Sequence, residues 1–280
     1  MNFGVISNKS KDPDRKLLDF ICEKIINKNG HVTFAIEMDK HDDLNGVPLS
    51  DTDLLISMGG DGTFLNIARQ TAEINIPIMG VNTGSLGFLS AIDIKEIDSA
   101  MDMILKKEYS IDERMMVRAE IIRKDKKTEF FHALNDIVIA RGLLSRIVNL
   151  KVFIDGAYVD NFPGDGVIVS TPTGSTGYSL SAGGPVVDHG LDLMVITPIC
   201  PHIMHAKSFI SGPDSKIQID VIGKGDFSCI LTADGQLGHE LSGGDTINIT
   251  KSELSVKVIK FTGTALFNTL RNKIYYRSGE

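Results

Sequence analysis

The sequence predicts an α/β N-terminal domain with a mostly parallel sheet, followed by a mainly antiparallel, all-β, sandwich-like second domain. Over roughly the first hundred residues, short apolar runs alternate with helical periodicity, the pattern of a parallel sheet covered by helices. From about Met115 the texture changes to β-branched, alternating segments broken by glycine-containing turns, the pattern of antiparallel β structure.

Taken in order, residues 3–6 read as a first strand, and Leu17, Leu18, Ile21 and Ile25 share one helical face. Residues 32–36 and 54–58 read as strands, 64–72 as a helix and 78–81 as a further strand. Ile94, Ile97, Met101, Ile104 and Leu105 recur at helical spacing, so a helix closes the first domain. Strands are expected next at 117–122, 137–140, 148–154, 167–170, 217–222 and 254–261. Asp155-Gly156, Gly164-Asp165-Gly166 and Gly243-Gly244-Asp245 mark turns between strands. Phe267, Leu270 and Ile274 approach helical spacing and suggest one last helix. The expected organisation is an α/β domain over 1–112, a β-rich domain over 113–262, and a segment 263–280 packing back on the first domain. No internal repeat, low-complexity linker or coiled coil is present in the sequence.

A chain of 280 residues with 42% hydrophobic content can bury a sizeable core. Its net charge of -7, with no basic stripe, argues against a nucleic-acid partner but not against a small anion held by backbone amides. The N-terminus reaches Lys9, Lys11 and Asp12 before any long apolar run, unlike a signal peptide, and no run is long enough for a membrane span. Cys22, Cys200 and Cys229 are odd in number and far apart, as expected of reduced thiols in a cytoplasmic protein.

Two regions concentrate chemistry. In the first, the apolar run Leu54-Leu55-Ile56-Ser57-Met58 leads into Gly59-Gly60-Asp61-Gly62-Thr63 just before a helix. Backbone N–H groups bare of side chains, together with a helix N-terminus, form a phosphate cradle, and Asp61 places an acid inside it. The competing reading is a tight turn whose glycines supply positive φ and whose Asp61 or Thr63 caps the helix. In the second, an apolar run enters residues 165–185, rich in glycine and small hydroxyl side chains that can press on a flat polar ligand. Neither G-x-x-x-x-G-K-[ST] nor G-x-G-x-x-G occurs, so a Walker-type or standard Rossmann site is not supported.

With Gly80-Val81-Asn82-Thr83-Gly84-Ser85-Leu86-Gly87-Phe88-Leu89, Asn135-Asp136, Thr197-Pro198-Ile199-Cys200-Pro201-His202 and Asp234-Gly235-Gln236 falling in order around these regions, nearly the whole chain resembles the bacterial NAD kinase family. The first motif is shared with diacylglycerol-type lipid kinases; the run from Thr171 to Pro185 is far more specific. The resemblance implies transfer of a phosphoryl group from ATP, carried with Mg²⁺, to the 2′-hydroxyl of the adenosine ribose of NAD. It makes Asp61 the catalytic acid/base and Gly59, Gly60, Gly62 and Thr63 the phosphate site. It places Gly62, Asn135, Asp136, Arg146, Asp165, Thr176, Gly177, Tyr178, Ser179, Leu180, Ser181 and Gln236 against the dinucleotide, with Tyr178 able to stack on a base. It also implies a homodimer or homotetramer. Pro163 stands where family members often carry Arg or Lys, and Gly177 where alanine is usual. A lipid kinase would need an apolar pocket and membrane contacts, against which the acidic balance and polar second region argue; a silent dinucleotide-binding regulator would not need to retain Asp61.

Lesser candidates are Cys200, His202 and His205, too few for a usual zinc site, and Asp12, Asp14, Arg15 and the 124–127 run, read as solvated charge. Residues 39–53 read as a polar loop.

Overall fold

The computed structural model describes residues 1–39, 42–84, 87–123, 128–142, 147–223 and 228–261, so the helix expected within 263–280 lies outside them. The chain forms two compact units, one of Met1–Arg114 together with the chain from Val256 on, the other of Met115–Ser255.

The first unit runs β1 (Asn2–Asn8), α1 (Lys16–Asn27), β2 (His31–Met38), β3 (Leu54–Gly59), α2 (Asp61–Thr71), β4 (Ile78–Asn82), β5 (Ile92–Asp93) and α3 (Ile97–Leu105). All strand pairs here are parallel, in the order β2-β1-β3-β4 with β5 on the outer side of β4. Every residue of β3 and β4 is buried, as expected for parallel strands covered on both faces. The apolar stripe of α1 (Leu18, Ile21, Ile25) and that of α3 (Ile97, Ala100, Met101, Ile104) pack with Phe3, Val5, Leu54 and Ile56 in one core.

The loop from β1 to α1 corrects the sequence reading of Asp12. This residue is buried rather than solvated, and its carboxylate accepts the N–H groups of Leu17 at 3.0 Å and Leu18 at 2.8 Å. Two donors that α1 cannot satisfy internally are thus paired. The described part of the expected polar loop, residues 42–53, is likewise better anchored than a plain polar loop, with Leu44 and Leu49 buried and a 3-10 turn at Leu49–Asp51.

The second unit continues through β6 (Ser110–Ile122), β7 (Glu129–Ala133), β8 (Asp136–Arg141), β9 (Val148–Ile154), β10 (Ala157–Gly164), β11 (Gly166–Ser170), α4 (Tyr178–Ser181), β12 (Met194–Ile199), β13 (Phe209–Ser211), β14 (Ile217–Ile222), β15 (Cys229–Ala233), β16 (Leu237–Leu241) and β17 (Thr246–Lys260). One sheet has the order β10-β9-β14-β17 together with the β6–β7 hairpin, the other β13-β12-β11-β8-β15-β16. The pairings within them are antiparallel. Alternate residues of both sheets, among them Val148, Leu150, Val152, Ile137, Ile139, Val167 and Val169, share one core, which makes the unit a sandwich.

Asp155 and Gly156 both take positive φ (51° and 80°), the turn that a two-residue hairpin between β9 and β10 requires. The expected Gly164-Asp165-Gly166 turn is instead the step by which the chain leaves β10 for β11 in the other sheet. The far end of β17 pairs in parallel with β4 (Val258 opposite Ile78), and Ile259 and Phe261 join the first core.

Replacing Asp12 by Ala should lower the unfolding free energy by about 1 to 2 kcal/mol, the usual cost of a lost N-terminal cap. Urea denaturation with an unchanged m-value would check this, and an unaltered midpoint would show that α1 does not depend on the cap.

Candidate functional site

In the first unit three stretches meet at the C-terminal edge of the parallel sheet: 8–15 after β1, 59–63 after β3, and residues 83–84 and 87–90 after β4. The chain goes from β1 outward to β2, then returns to the other side of β1 to form β3, so strand order reverses between β1 and β3. In open α/β sheets the crevice at such a reversal is the place where ligands bind.

Asp61 is the first residue of α2 and lies at that edge. Its carboxylate accepts the N–H of Phe88 on Oδ2 at 3.0 Å and that of Leu89 on Oδ1 at 3.1 Å. A Cβ at position 87 would overlap Asp61 Oδ1, so this close approach requires the bare backbone of Gly87.

The tight-turn alternative for the glycine loop fails on two counts. None of Gly59, Gly60 and Gly62 takes positive φ, and no side chain caps α2. The glycines supply bareness instead: nothing lies within 4 Å of the point where a side chain on Gly62 would begin. Thr63 Oγ1 accepts the Asn8 side-chain N–H at 3.0 Å, tying the β1–α1 loop to the glycine loop.

In the second unit the end of β11, the start of β8 and the end of β15 lie side by side, with Ser170 opposite Asp136 and Ala233 opposite Ile137. Register therefore brings together Asn135, Asp136, Thr171 and Asp234. The Asp234 carboxylate accepts the N–H groups of Leu134 (3.0 Å), Asn135 (2.7 Å) and Asp136 (3.3 Å). Thr171 donates its hydroxyl to Leu134 O at 2.6 Å and its N–H to Asn135 O at 2.9 Å. The bare backbone of Gly174 rests on Asn135, where a Cβ would overlap the Asn135 carbonyl oxygen. So fixed, Asn135 keeps a buried side-chain oxygen with no hydrogen-bond partner among the described residues. Such an orphaned acceptor calls for a donor from a ligand or water.

Beyond Gly174 the chain crosses the outer face of β8 and β11, where Val138, Ile168, Ile199, Ala140 and Ala182 pack together. Tyr178 is half exposed on this segment. Desolvation chiefly, then the charges of Cys200, Asp165 and Asp136, raise the pKa of its hydroxyl.

The predicted site residues fare differently. Asp136 is buried, and Asp165 is half exposed in an ion pair with Arg141 at 2.6 Å. Gly177 and Leu180 are partly buried and Ser181 is exposed. The hydroxyls of two others are engaged within the unit: Thr176 donates to Thr173 O (3.3 Å) and Ser179 bonds Thr197 Oγ1 (3.2 Å). Gln236 follows Asp234 and Gly235, both at positive φ, and its N–H bonds Ala233 O at 3.1 Å. Arg146 lies outside the described residues.

Sequence reasoning passed over Arg141, the amide-binding role of Asp234, and Lys11, whose ammonium lies over the glycine loop. Only strand register, which a single sequence does not display, pairs Arg141 with Asp165. Among the described residues no group of three or more His, Cys, Asp or Glu is placed to hold a metal.

Residues 5–109 match the family model described as ATP-NAD kinase N-terminal domain, and residues 134–261 the one described as ATP-NAD kinase C-terminal domain. The chain is 40% identical to an NAD kinase of Acetivibrio thermocellus, covering 99% of this chain and 98% of that protein. It is 41% identical to an NAD kinase of Caldanaerobacter subterraneus subsp. tengcongensis, covering 98% and 99%. Among solved structures, yeast NADH kinase complexed with NADH is similar with a TM-score of 0.81 and 25% identity, over 100% of this chain and 89% of that one. An NAD kinase from Archaeoglobus fulgidus in complex with ATP is similar with a TM-score of 0.76 and 27% identity, over 98% and 99%.

Burial, and secondarily the charge of Asp234, push the Asp136 carboxyl up to about 7. Because the folded state favours the neutral acid, its contribution to stability is complete below the ordinary carboxylate range, near pH 4, and fades as pH rises through about 7. Thermal unfolding of wild type and Asp136→Asn across pH 5 to 8 should show the variant gaining on wild type as pH rises. A gap that stays constant would contradict the burial argument.

Proposed function

The chain belongs to the ATP-NAD kinase family, and from that premise we propose how its residues carry the reaction. It is an ATP-dependent NAD kinase, a phosphotransferase that moves the γ-phosphoryl group of ATP to the 2′-hydroxyl of the adenosine ribose of NAD, giving NADP. Similarity over the full length, in both domains, displaces the lipid-kinase and silent-regulator alternatives.

The observation that carries the mechanism is the placement of Asp61: a carboxylate fixed by two backbone amides, at the entrance of a bare glycine loop, on the ligand-binding edge of the sheet. The 2′-oxygen attacks the γ-phosphorus, forming one P–O bond as the bond to the β,γ-bridging oxygen breaks. ADP leaves with the bonding pair, and the hydroxyl proton passes to Asp61. Because such transition states are loose, the attacking oxygen needs little prior deprotonation, and an ordinary carboxylate that orients the hydroxyl and accepts its proton late is sufficient. The bare backbone of Gly60 and Gly62 is what the phosphoryl oxygens would approach, beside the N-terminus of α2, while the Thr63 N–H is bonded to Gly60 O at 3.0 Å.

The donor set fits a metal that arrives on the triphosphate better than a resident one. Asp61 is the carboxylate beside the loop, and no cage of three or more acidic, histidine or cysteine side chains exists among the described residues. Mg²⁺ held by the triphosphate would neutralise its β and γ oxygens.

Asn135 offers its orphaned oxygen to the amino group of adenine, and Asp136 meets a ribose hydroxyl. Tyr178 stacks on the base, and Asp165 and Gln236 add polar contacts. With their hydroxyls engaged internally, Thr176 and Ser179 act by shaping the surface that Gly177, Leu180 and Ser181 present. Arg146 remains a dinucleotide contact on the family resemblance alone. A cytoplasmic setting accords with three unpaired cysteines. A homodimer or homotetramer accords with exposed apolar side chains on the second unit, Ile210 and Met204 among them.

Asp61→Asn should retain the fold and dinucleotide binding while turnover falls by about 10²- to 10⁴-fold, the range of positioned acid–base catalysis. NADP formation from NAD and ATP, followed beside calorimetric titration with NAD, tests this, and near-normal turnover would remove Asp61 from the mechanism.

A further inference from the structure

Resting on the reading of residues 59–63 as the phosphate loop, we propose that Lys11 is the cation that meets the transferring γ-phosphoryl group, so that the β1–α1 loop forms a second wall of the phosphate site. The Lys11 ammonium lies 3.0 Å from where a Cβ on Gly60 would stand and 3.8 Å from where one on Gly84 would stand. It therefore reaches both the loop after β3 and the segment after β4. Lys11 and Gly60 belong to the loops after β1 and β3, the two strands between which the strand order reverses.

The loop that carries Lys11 is held on both sides of it. The N–H groups of Lys11 and Asp12 both bond Asn8 O at 3.0 Å, and the Asn8 side chain reaches Thr63 in the glycine loop. Asp12, the next residue, is buried and fastened to the first turn of α1. Arg15 and Lys16 pair with Glu37 and Asp14, whereas the Lys11 side chain makes no ion pair or hydrogen bond among the described residues. A long cationic side chain thus rises from a fixed base and stops over bare backbone without a partner.

The chemistry supplies the reason. Asp61 is itself negative, and backbone amides carry only partial charge, so a triphosphate brought to this loop lacks a full positive charge from the protein. Lysine, a compact point charge with three donors, serves phosphate oxygens well. Lys11 donates to non-bridging γ oxygens while the P–O bond to the leaving ADP breaks and the new bond to the ribose oxygen forms. It is a phosphate contact, and the proton goes to Asp61.

The test compares Lys11→Met, Lys11→Arg and Asp61→Asn with wild type, measuring NADP formation and calorimetric binding of ATP and of ADP. Lys11→Met should lose about 10- to 100-fold in kcat/KM for ATP, as a charged hydrogen-bond partner is worth, with the KM for NAD little changed. Its preference for ATP over ADP should shrink, and Lys11→Arg should recover most of the loss. Wild-type ATP kinetics in Lys11→Met beside an inactive Asp61→Asn would overturn the role of Lys11 and leave the phosphate loop standing. Wild-type behaviour of both variants would overturn the loop assignment itself. Equal losses toward ATP and NAD, unrelieved by arginine, would mark Lys11 as a structural residue and also refute the proposal.

Discussion

The grip of the Phe88 and Leu89 amides on Asp61 is the constraint on which the first unit's chemistry depends. A carboxylate at the start of a helix would otherwise be free to turn among rotamers, and a proton acceptor that wanders cannot define a line of attack. Each oxygen accepts one N–H and retains a lone pair for substrate. The sheet supplies the rest, since parallel strands end together and their loops converge on the acid from three places in the sequence.

The second unit uses the same device for a different purpose. Asp234 binds three successive amides and so freezes the backbone of Leu134, Asn135 and Asp136 at the point where β8 begins. The two carboxylates then divide the labour: Asp234 is consumed by the backbone, while Asp136, buried beside it, is driven toward its neutral form. A neutral carboxyl can donate as well as accept, which widens what a sugar hydroxyl may find there. The run of small hydroxyl residues serves mostly as internal scaffolding, with Thr171, Ser175 and Ser179 all bonded within the unit.

Fold class was legible because parallel and antiparallel strands bury different faces and so carry different patterns: β3 is buried throughout and apolar but for Ser57 and its closing glycine, whereas β9 alternates. Strands that break those patterns went unread. The interior proline of β12 hides it; β13 stops opposite Ile196, leaving Pro198 on an open edge where its missing N–H interrupts no ladder. The strand β13 has only three residues, and β10 carries Pro163. At the site, Asp61 stood out because a single charge among glycines has few structural uses. Asp12 did not, since a buried cap and a solvated acid look alike in sequence. Neither did Asp234, whose partners lie about a hundred residues away.

The path of β17 bears on how the molecule can be made. The last strand beside β4 and part of the first core, Ile259 and Phe261, come from the far end of the described chain, after the whole sandwich has been spelled out. On the ribosome the N-terminal unit must therefore wait, its sheet short of one strand and an apolar edge uncovered, while some 140 residues of the second unit are translated. Synthesis order and folding order differ, and the emerging chain needs shelter for the unit that begins first and finishes last.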